Sequence, residues 1–455
     1  MTATVTAYDE RVRALQQALL AAPPGAPVRL HKRTSNLFRP RERGSSPLDV
    51  DGFRGVLSID TAARTADVLG MTTYEDLVDA TLPHGLMPLV VPQLKTITLG
   101  GAVTGLGIES TSFRSGCPHE SVVEMDVLTG TGEVVTARPD NEHRDLFFGF
   151  PNSYGSLGYA LRLRIELEQV HPFVHLRHLR FDSVDTCSAA VTEICSSRSW
   201  DEQRVDFLDG TWFGANEVYL TLGAWSDRAP YASNYTGRDI YYRSIQKHAE
   251  DYLSARDYLW RWDTDWFWCS RAFGAQNPTL RSLWPRRWLR SNVYWKLVAL
   301  ERRYGVKARL DRAAGKPEQE YVIQDVEIPV ARLAEFLDFL HTQTGMSPVW
   351  LCPLKQRDPT VSWDLYPLQP QAVYVNVGFW GGAPLPPGEH EPFHNRAIEI
   401  EVARLGGRKS LYSTAFYPES EFWDNYGGPT YEVLKKTYDP DGRLLDLYAK
   451  TVQRR

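Results

Sequence analysis

No run of about 18 apolar residues occurs anywhere in the chain, so nothing in it is long and greasy enough to span a bilayer as a helix. Cysteine is scarce. Cys117, Cys187, Cys195, Cys269 and Cys352 are widely scattered, with no CxxC pair. That excludes a disulfide framework and a zinc cluster and fits a reducing cytoplasm. Positive charge is also short: 51 Lys and Arg stand against 56 Asp and Glu, a net charge of −5, without the basic footprint of a nucleic-acid binder. There is no internal repeat and no low-complexity segment. The opening "MTATVTAYDERVRALQQALLAA" is charged and amphipathic, unlike a signal peptide.

What is present suits a globular protein of 455 residues, too long for one ordinary core. "YDERVRALQQALLA" has helical apolar spacing. "GVLSID" and "TADVLG" read as a hairpin, and "TTYEDLVDATLPHG" as a helix opened by a Thr72–Glu75 capping box and stopped near Gly85. "SVVEMDVLTGTGEVVTA" reads as two strands around a turn and "YALRLRIELEQV" as a strongly alternating strand. Strands, a helix and more strands thus precede residue 170 in α+β order. The expected division is residues 1–173, then 174–390 with an aromatic-rich tract at 252–300, then 391–455.

Glycine is concentrated in "TITLGGAVTGLGIESTS", with Gly100, Gly101, Gly105 and Gly107, and again at Gly155 and Gly158 in "NSYGSLG". Such clusters let backbone approach a bulky ligand closely. A dinucleotide-binding Rossmann turn is excluded by context. Ser110 stands where the third glycine belongs, and no helix-forming run follows. His390 to His394 spells H-E-x-x-H, but Pro392 places His390 ahead of any helix, so the pattern is not a zinc-protease site. No metal site is expected. "YLWRWDTDWFWCSR" reads as core packing or as the wall of a greasy substrate tunnel. "LWPRRWLR" interleaves Trp with Arg as interfacial segments do.

Taken together, "VVPQLKTITLGGAVTGLGIESTS", "DVLTGTGEVV" and "RDLFFGFPNSYGSLGYALRLRIEL" resemble the FAD-binding domain of the vanillyl-alcohol oxidase/p-cresol methylhydroxylase (PCMH) superfamily. "GGAVTGLGIESTS", "QDVEIP", "PVWLCP" and "GGRKSLYSTAFYPESEFW…LLDLYAK" resemble its delta-24 sterol reductase branch over nearly the whole chain. The membrane helix at the start of those reductases has no counterpart here. "KRTSNLFR" and "TYEDLVDATLPHGLMPLVVPQLKTITLGG" are closer still to bacterial FAD-dependent reductases that saturate a 10-methylene fatty acyl chain, the tuberculostearate (10-methylstearate) type.

The resemblance implies an α+β fold: a PCMH-type domain of two α+β subdomains, an α/β substrate cap, and a C-terminal segment returning to the flavin. It implies noncovalent FAD, since "HKRTSN" stands where covalent relatives attach the flavin to a His in a glycine-rich first loop, and His31 lies at the strand end. The expected cofactor contacts are Thr34, Ser35, Asn36, Pro92, Gln93, Thr96, Thr98, Gly100, Gly101, Gly105, Gly107, Ser110, Ser112, Val122, Gly155 and Gly158. NADPH or NADH would supply electrons, though no nicotinamide fingerprint is visible. The implied setting is cytoplasmic, peripheral at the inner membrane face, in an oligomer, with a lipid acyl-chain substrate and a methyltransferase of the same pathway as partner.

An alkene not conjugated to a carbonyl offers a hydride no electron sink, so its reduction needs an acid in a dry pocket. Tyr412 and Asp265 are the first candidates, followed by Lys409, with Asp263, Glu109 and Tyr417 behind them. A sterol reductase, a flavin-dependent alcohol or sugar oxidase or dehydrogenase, and a non-catalytic FAD-binding subunit are the alternatives.

Overall fold

The computed structural model describes residues 2–23, 28–32, 34, 38, 46–237, 239–304, 309, 315 and 317–453. Two sheets organise them, and the fold is α+β. The first orders Val56–Asp60, Thr65–Leu69, Gly158–Gln169, Val122–Thr129 and Val134–Ala137, with Leu86–Pro88 also pairing with Gly158–Gln169. Gly158–Gln169 is its spine because its apolar residues alternate: Leu161, Leu163, Ile165 and Leu167 are all buried. The expected hairpin forms, with Asp60 opposite Thr65.

The helix after it, Tyr74–Thr81, is capped one residue later than the capping-box reading places it. Thr73 Oγ1 accepts from the Asp76 amide at 3.1 Å, while the Thr72 hydroxyl is spent on the Leu69 carbonyl at 2.6 Å. The N-terminal helix Thr2–Leu20 seats Leu15 and Leu19 in a small core with Val28, Leu48, Phe53 and Leu161.

The chain crosses to the second sheet at residues 170–172. That sheet is antiparallel throughout and runs Glu250–Ser254, Phe173–Phe181, Glu217–Ser226, Phe207–Gly214, Val349–Leu354, Tyr374–Pro384, Gln319–Pro329 and Arg408–Lys409. Helices Val184–Ser197, Leu333–Thr344 and Phe393–Arg404 cover one face, burying Val191, Ile194, Phe336, Leu340, Ile398 and Val402 against Val322, Val326 and Ile328. Alternation along Gln319–Pro329 therefore turns Ile323, Asp325 and Glu327 to the opposite face. That face looks towards the first sheet, and the aromatic tract fills the space between, with Trp260, Trp262, Trp266, Phe267 and Trp268 all buried in one core.

The helix at the H-E-x-x-H sequence begins at Phe393, past His390. Both ring nitrogens of His394 face partners: Nε2 lies 3.0 Å from the Pro384 carbonyl and Nδ1 lies 3.3 Å from Gln343. No described helix is long and apolar enough to cross a membrane.

Candidate functional site

Between the sheets lies a cavity of about 2110 Å3, its open mouth included. One wall is the glycine stretch. Leu99–Gly105 is a short helix rather than a loop, capped by Thr98 Oγ1, which accepts from the Gly101 amide at 3.2 Å. Gly100, Gly101, Gly105 and Gly107 all face the cavity. A Cβ on Gly105 would stand 3.0 Å from the Tyr154 ring, and one on Gly107 would sit 3.0 Å from Pro92 and 3.1 Å from Pro118. Side chains here have no protein space to occupy and would thicken the wall.

The second glycine turn closes on the first. The Tyr154 hydroxyl donates to the Gly105 carbonyl at 2.7 Å, and the Tyr154 amide donates to Thr104 at 3.0 Å. Gly155 and Gly158 therefore line the same cavity. Lys450, from the C-terminal helix Leu447–Thr451, latches this turn by donating to the Gly155 carbonyl at 2.6 Å, and it lines the cavity too.

The other end of the cavity is aromatic. Phe38, Trp266, Phe267, Trp350, Trp380 and Tyr412 line it. Phe38 stacks on Trp266 at 5.6 Å, Phe267 lies 4.4 Å from Trp380 and 5.2 Å from Trp350, and Phe38 meets Tyr412 edge-on at 5.7 Å. Trp266 and Phe267 adopt left-handed backbone angles, with φ of 46° and 60°. That costs bulky residues on the order of 1–3 kcal/mol each, so their surroundings must hold them there.

Asp263 and Asp265 do that holding. Asp263 Oδ1 accepts from Ser291 Oγ at 2.6 Å and from the Lys95 amide at 3.1 Å. Asp265 is clamped through both oxygens by Arg281, at 2.6 and 2.9 Å, and by Ser270 at 2.7 Å. This corrects the ranking of Asp265 as an acid. It does not line the cavity, and its oxygens are committed to a buried ion pair beneath the aromatic turn.

Lys409 is corrected likewise. Its ammonium, fully buried, is 2.7 Å from Glu399 Oε1 and 2.7 Å from the Thr414 carbonyl, and it does not reach the cavity. Burial pushes its pKa down while Glu399 pulls it back up. Glu109 and Arg261 belong to a buried network behind the glycine wall. Arg261 is 3.3 Å from Glu109 and 2.9 Å from Asp209, Gln93 Nε2 donates to Glu109, and Trp262 and Trp350 donate to Asp209.

Tyr412 does line the cavity, and its partner there is a carboxyl. The Tyr412 hydroxyl accepts from Trp380 Nε1 at 2.8 Å and hydrogen-bonds Asp325. Asn376 Nδ2 donates to Asp325 Oδ1 at 3.1 Å. Across the sheet, Asp325 pairs with Gly378, which pairs with Trp350. A Cβ on Gly378 would sit 2.5 Å from Asp325 Oδ1, so this glycine gives the carboxyl its space.

Two donors favour the carboxylate, but burial outweighs them and raises the Asp325 pKa to about 6. Asp325 lines the cavity. Two residues along on the same face, Glu327 accepts from the Tyr366 hydroxyl, and burial, then the Asp325 charge, push its pKa well up. Tyr412 is pushed well above the usual phenol range, chiefly by burial, and stays neutral.

Of the other expected contacts, Pro92, Gln93 and Thr98 line the cavity. Thr34, Thr96, Ser110, Ser112 and Val122 do not: Ser110 bonds Glu109 and Tyr258, Ser112 accepts from the Glu109 amide, and Val122 pairs with Ile165 in the first sheet. Ser35 and Asn36 lie outside the described residues.

Asp325, Trp350, Trp380 and Lys450 line the cavity without being singled out by the sequence reasoning above. Three of them sit in the quoted segments "QDVEIP", "PVWLCP" and "LLDLYAK", and an Asp on the helix-free face of an alternating strand was the available signal. The cavity fits a flat heteroaromatic dinucleotide. One wall is glycine backbone, and two lining amides, Gln93 and Asn376, each keep a buried side-chain oxygen without a partner.

Comparison with known proteins agrees with this geometry. Residues 4–138 match the model of an FAD binding domain. The delta(24)-sterol reductase of Arabidopsis thaliana is 23% identical over 438 residues, covering 89% of this chain and 76% of its own. The human delta(24)-sterol reductase is 26% identical over 415 residues, 87% of this chain and 75% of its own. Cytokinin dehydrogenase 6 of Oryza sativa subsp. japonica is 35% identical over 149 residues, 33% of this chain and 28% of its own. The chain carries a PCMH-type FAD-binding domain and is an FAD-binding oxidoreductase.

Proposed function

We propose that this FAD-dependent oxidoreductase reduces an isolated carbon–carbon double bond in a lipid, with NADPH or NADH as electron source. The observation that carries the reading is the far end of the cavity, where six aromatic rings share the wall with one carboxyl, Asp325, hydrogen-bonded to Tyr412. An alcohol or sugar oxidase needs polar groups matched to hydroxyls, and this wall is mostly ring carbon.

The backbone of Gly100–Gly107 and of the Gly155–Gly158 turn would hold FAD, which when bound would supply the hydride. The rest falls to the chain. The rings exclude water and place their negative faces around the carbon that becomes electron-poor as the alkene is protonated. The protonated Asp325 carboxyl gives its proton to one alkene carbon and is left as a carboxylate. Tyr412 and Asn376 hold the carboxyl in place and donate to the anion that remains. Hydride at the other carbon completes a saturated product, so one proton and one hydride balance the reaction.

The two sterol reductase relatives, matched over 87–89% of this chain, support a delta-24 sterol side-chain alkene as substrate class. A 10-methylene fatty acyl chain is the second reading, supported by the likeness of "TYEDLVDATLPHGLMPLVVPQLKTITLGG" to the bacterial acyl reductases. It brings a methyltransferase partner with it. Both alkenes pose the same chemical problem to Asp325. Purified enzyme given NADPH, then a delta-24 sterol or a 10-methylene lipid, tests the reading by mass spectrometry. A gain of two hydrogens on either lipid supports it, and no gain on both refutes it.

A further inference from the structure

We infer that residues 278–304 form a docking surface for an anionic phospholipid bilayer; this rests on the lipid-substrate reading. The segment comprises the short helix Pro278–Leu283, the turn Arg286–Trp288 and the helix Ser291–Tyr304. It gathers large apolar side chains that point into solvent: Leu283 is 77% exposed, and Leu280, Trp288 and Leu300 are each half-exposed.

Charge selects the occupant. Between Asp265 and Glu301 the chain has no acidic residue, although the protein as a whole carries a net charge of −5. Arg281 and Arg290 are neutralised by Asp265 and Glu75. Arg271, Arg286, Arg287 and Lys296 are exposed, and none makes an ion pair with a described residue. Arg287 lies over the Trp288 ring at 5.9 Å. Lys296 and Leu300, four residues apart, share the outer face of their helix. Exposed Leu and Trp set among cations that have no ion-pair partner among the described residues suit the boundary between anionic headgroups and acyl chains. An acidic protein partner would match the cations but not the scattered apolar tips.

The inner side of the same segment leads to the cavity. Tyr294 and Leu289 are buried, and Trp295 meets Phe38 edge-on at 5.2 Å, with Phe38 in the cavity wall. A lipid leaving the bilayer beneath this segment is one ring away from the aromatic end of the site. No helix among the described residues is built to span a membrane, so the contact is peripheral.

The test is flotation of the purified FAD-loaded protein with phosphatidylglycerol/phosphatidylcholine vesicles and with phosphatidylcholine alone. The wild type should float with the anionic vesicles, weakly with the neutral ones, and lose binding as salt rises. Leu283→Ser/Trp288→Ser and Arg286→Gln/Arg287→Gln should each lower the bound fraction at least about tenfold, with thermal midpoint and FAD content unchanged. Both variants should keep wild-type turnover on detergent-dispersed substrate, which separates docking from chemistry. Equal flotation of wild type and variants, or no flotation, overturns the inference. A variant-dependent change in oligomer size without vesicle binding overturns it in favour of an interface between copies. Failure of the reductase reading alone would leave vesicle binding intact.

Discussion

Replacing Asp325 with Asn removes the proton but keeps the shape. Asn376 can still donate to the side-chain oxygen, and the space left by Gly378 is unchanged. Burial moves the aspartate pKa from the ordinary 3.8 to about 6. At about 1.4 kcal/mol per pH unit, keeping that carboxyl ionised costs the fold about 3 kcal/mol. The sign follows from linkage. The folded protein holds the proton more tightly than the unfolded chain, so the stabilising contribution is present below about pH 4 and lost as pH rises through about 6. At pH 8 Asp325→Asn should therefore unfold later in urea than wild type, by up to about 3 kcal/mol, with the advantage vanishing near pH 4.

Catalysis moves the other way. Alkene reduction should fall roughly 100- to 10,000-fold, the usual worth of a positioned acid, while flavin reduction by NADPH proceeds. In the wild type, the rate of alkene reduction should drop about tenfold per pH unit above about 6, and this dependence should vanish in the residual activity of the variant. Stopped-flow measurement of flavin reduction and reoxidation separates the two half-reactions. Wild-type reoxidation by alkene in Asp325→Asn, or an unchanged pH profile, would refute the assignment.

Gly101→Val should yield folded protein without FAD, because the added methyls enter the cavity and displace the Thr98 cap, 2.7 Å from the new Cβ; full flavin absorbance after gel filtration would contradict that placement. Lys409→Met removes the shorter of two ion pairs to the fully buried Glu399 carboxylate, leaving Arg396 at 3.3 Å, and should cost up to about 3 kcal/mol in urea unfolding, with turnover per folded molecule retained. Lost turnover at unchanged stability would instead put Lys409 in the chemistry. Asp265→Asn releases one arm of the Arg281 clamp, so the Trp266–Phe267 turn should loosen. Near-ultraviolet circular dichroism should change and turnover should fall about tenfold, while the pH profile set by Asp325 persists.

The glycine wall was legible because a ligand approached by backbone leaves a compositional trace, and Gly100 through Gly107 cannot be explained by core packing. The sheet spine was legible from the alternation in "YALRLRIELEQV". The acid was not. Asp265 sits among Trp residues in sequence, which suggests a desolvated carboxyl, but Arg281 arrives from 16 residues on and neutralises it. Asp325 looks like an ordinary polar residue in "YVIQDVEIP". Only the register against Gly378 and Trp350, strands far away in sequence, reveals the empty space above it. Lys409 misleads for the same reason, since its counter-charge lies on a helix that the strand pattern does not show.

One anaerobic experiment tests the proposed alkene reduction most directly. Enzyme-bound FAD is reduced with one equivalent of NADPH, freed of nucleotide, and mixed in D2O with a delta-24 sterol or a 10-methylene lipid. The flavin spectrum is followed and the lipid is analysed by mass spectrometry. Reoxidation of the flavin on mixing, with a saturated product bearing solvent deuterium at one former alkene carbon, is the expected result. Flavin that stays reduced with both lipids and reoxidises only when oxygen is admitted would contradict the account.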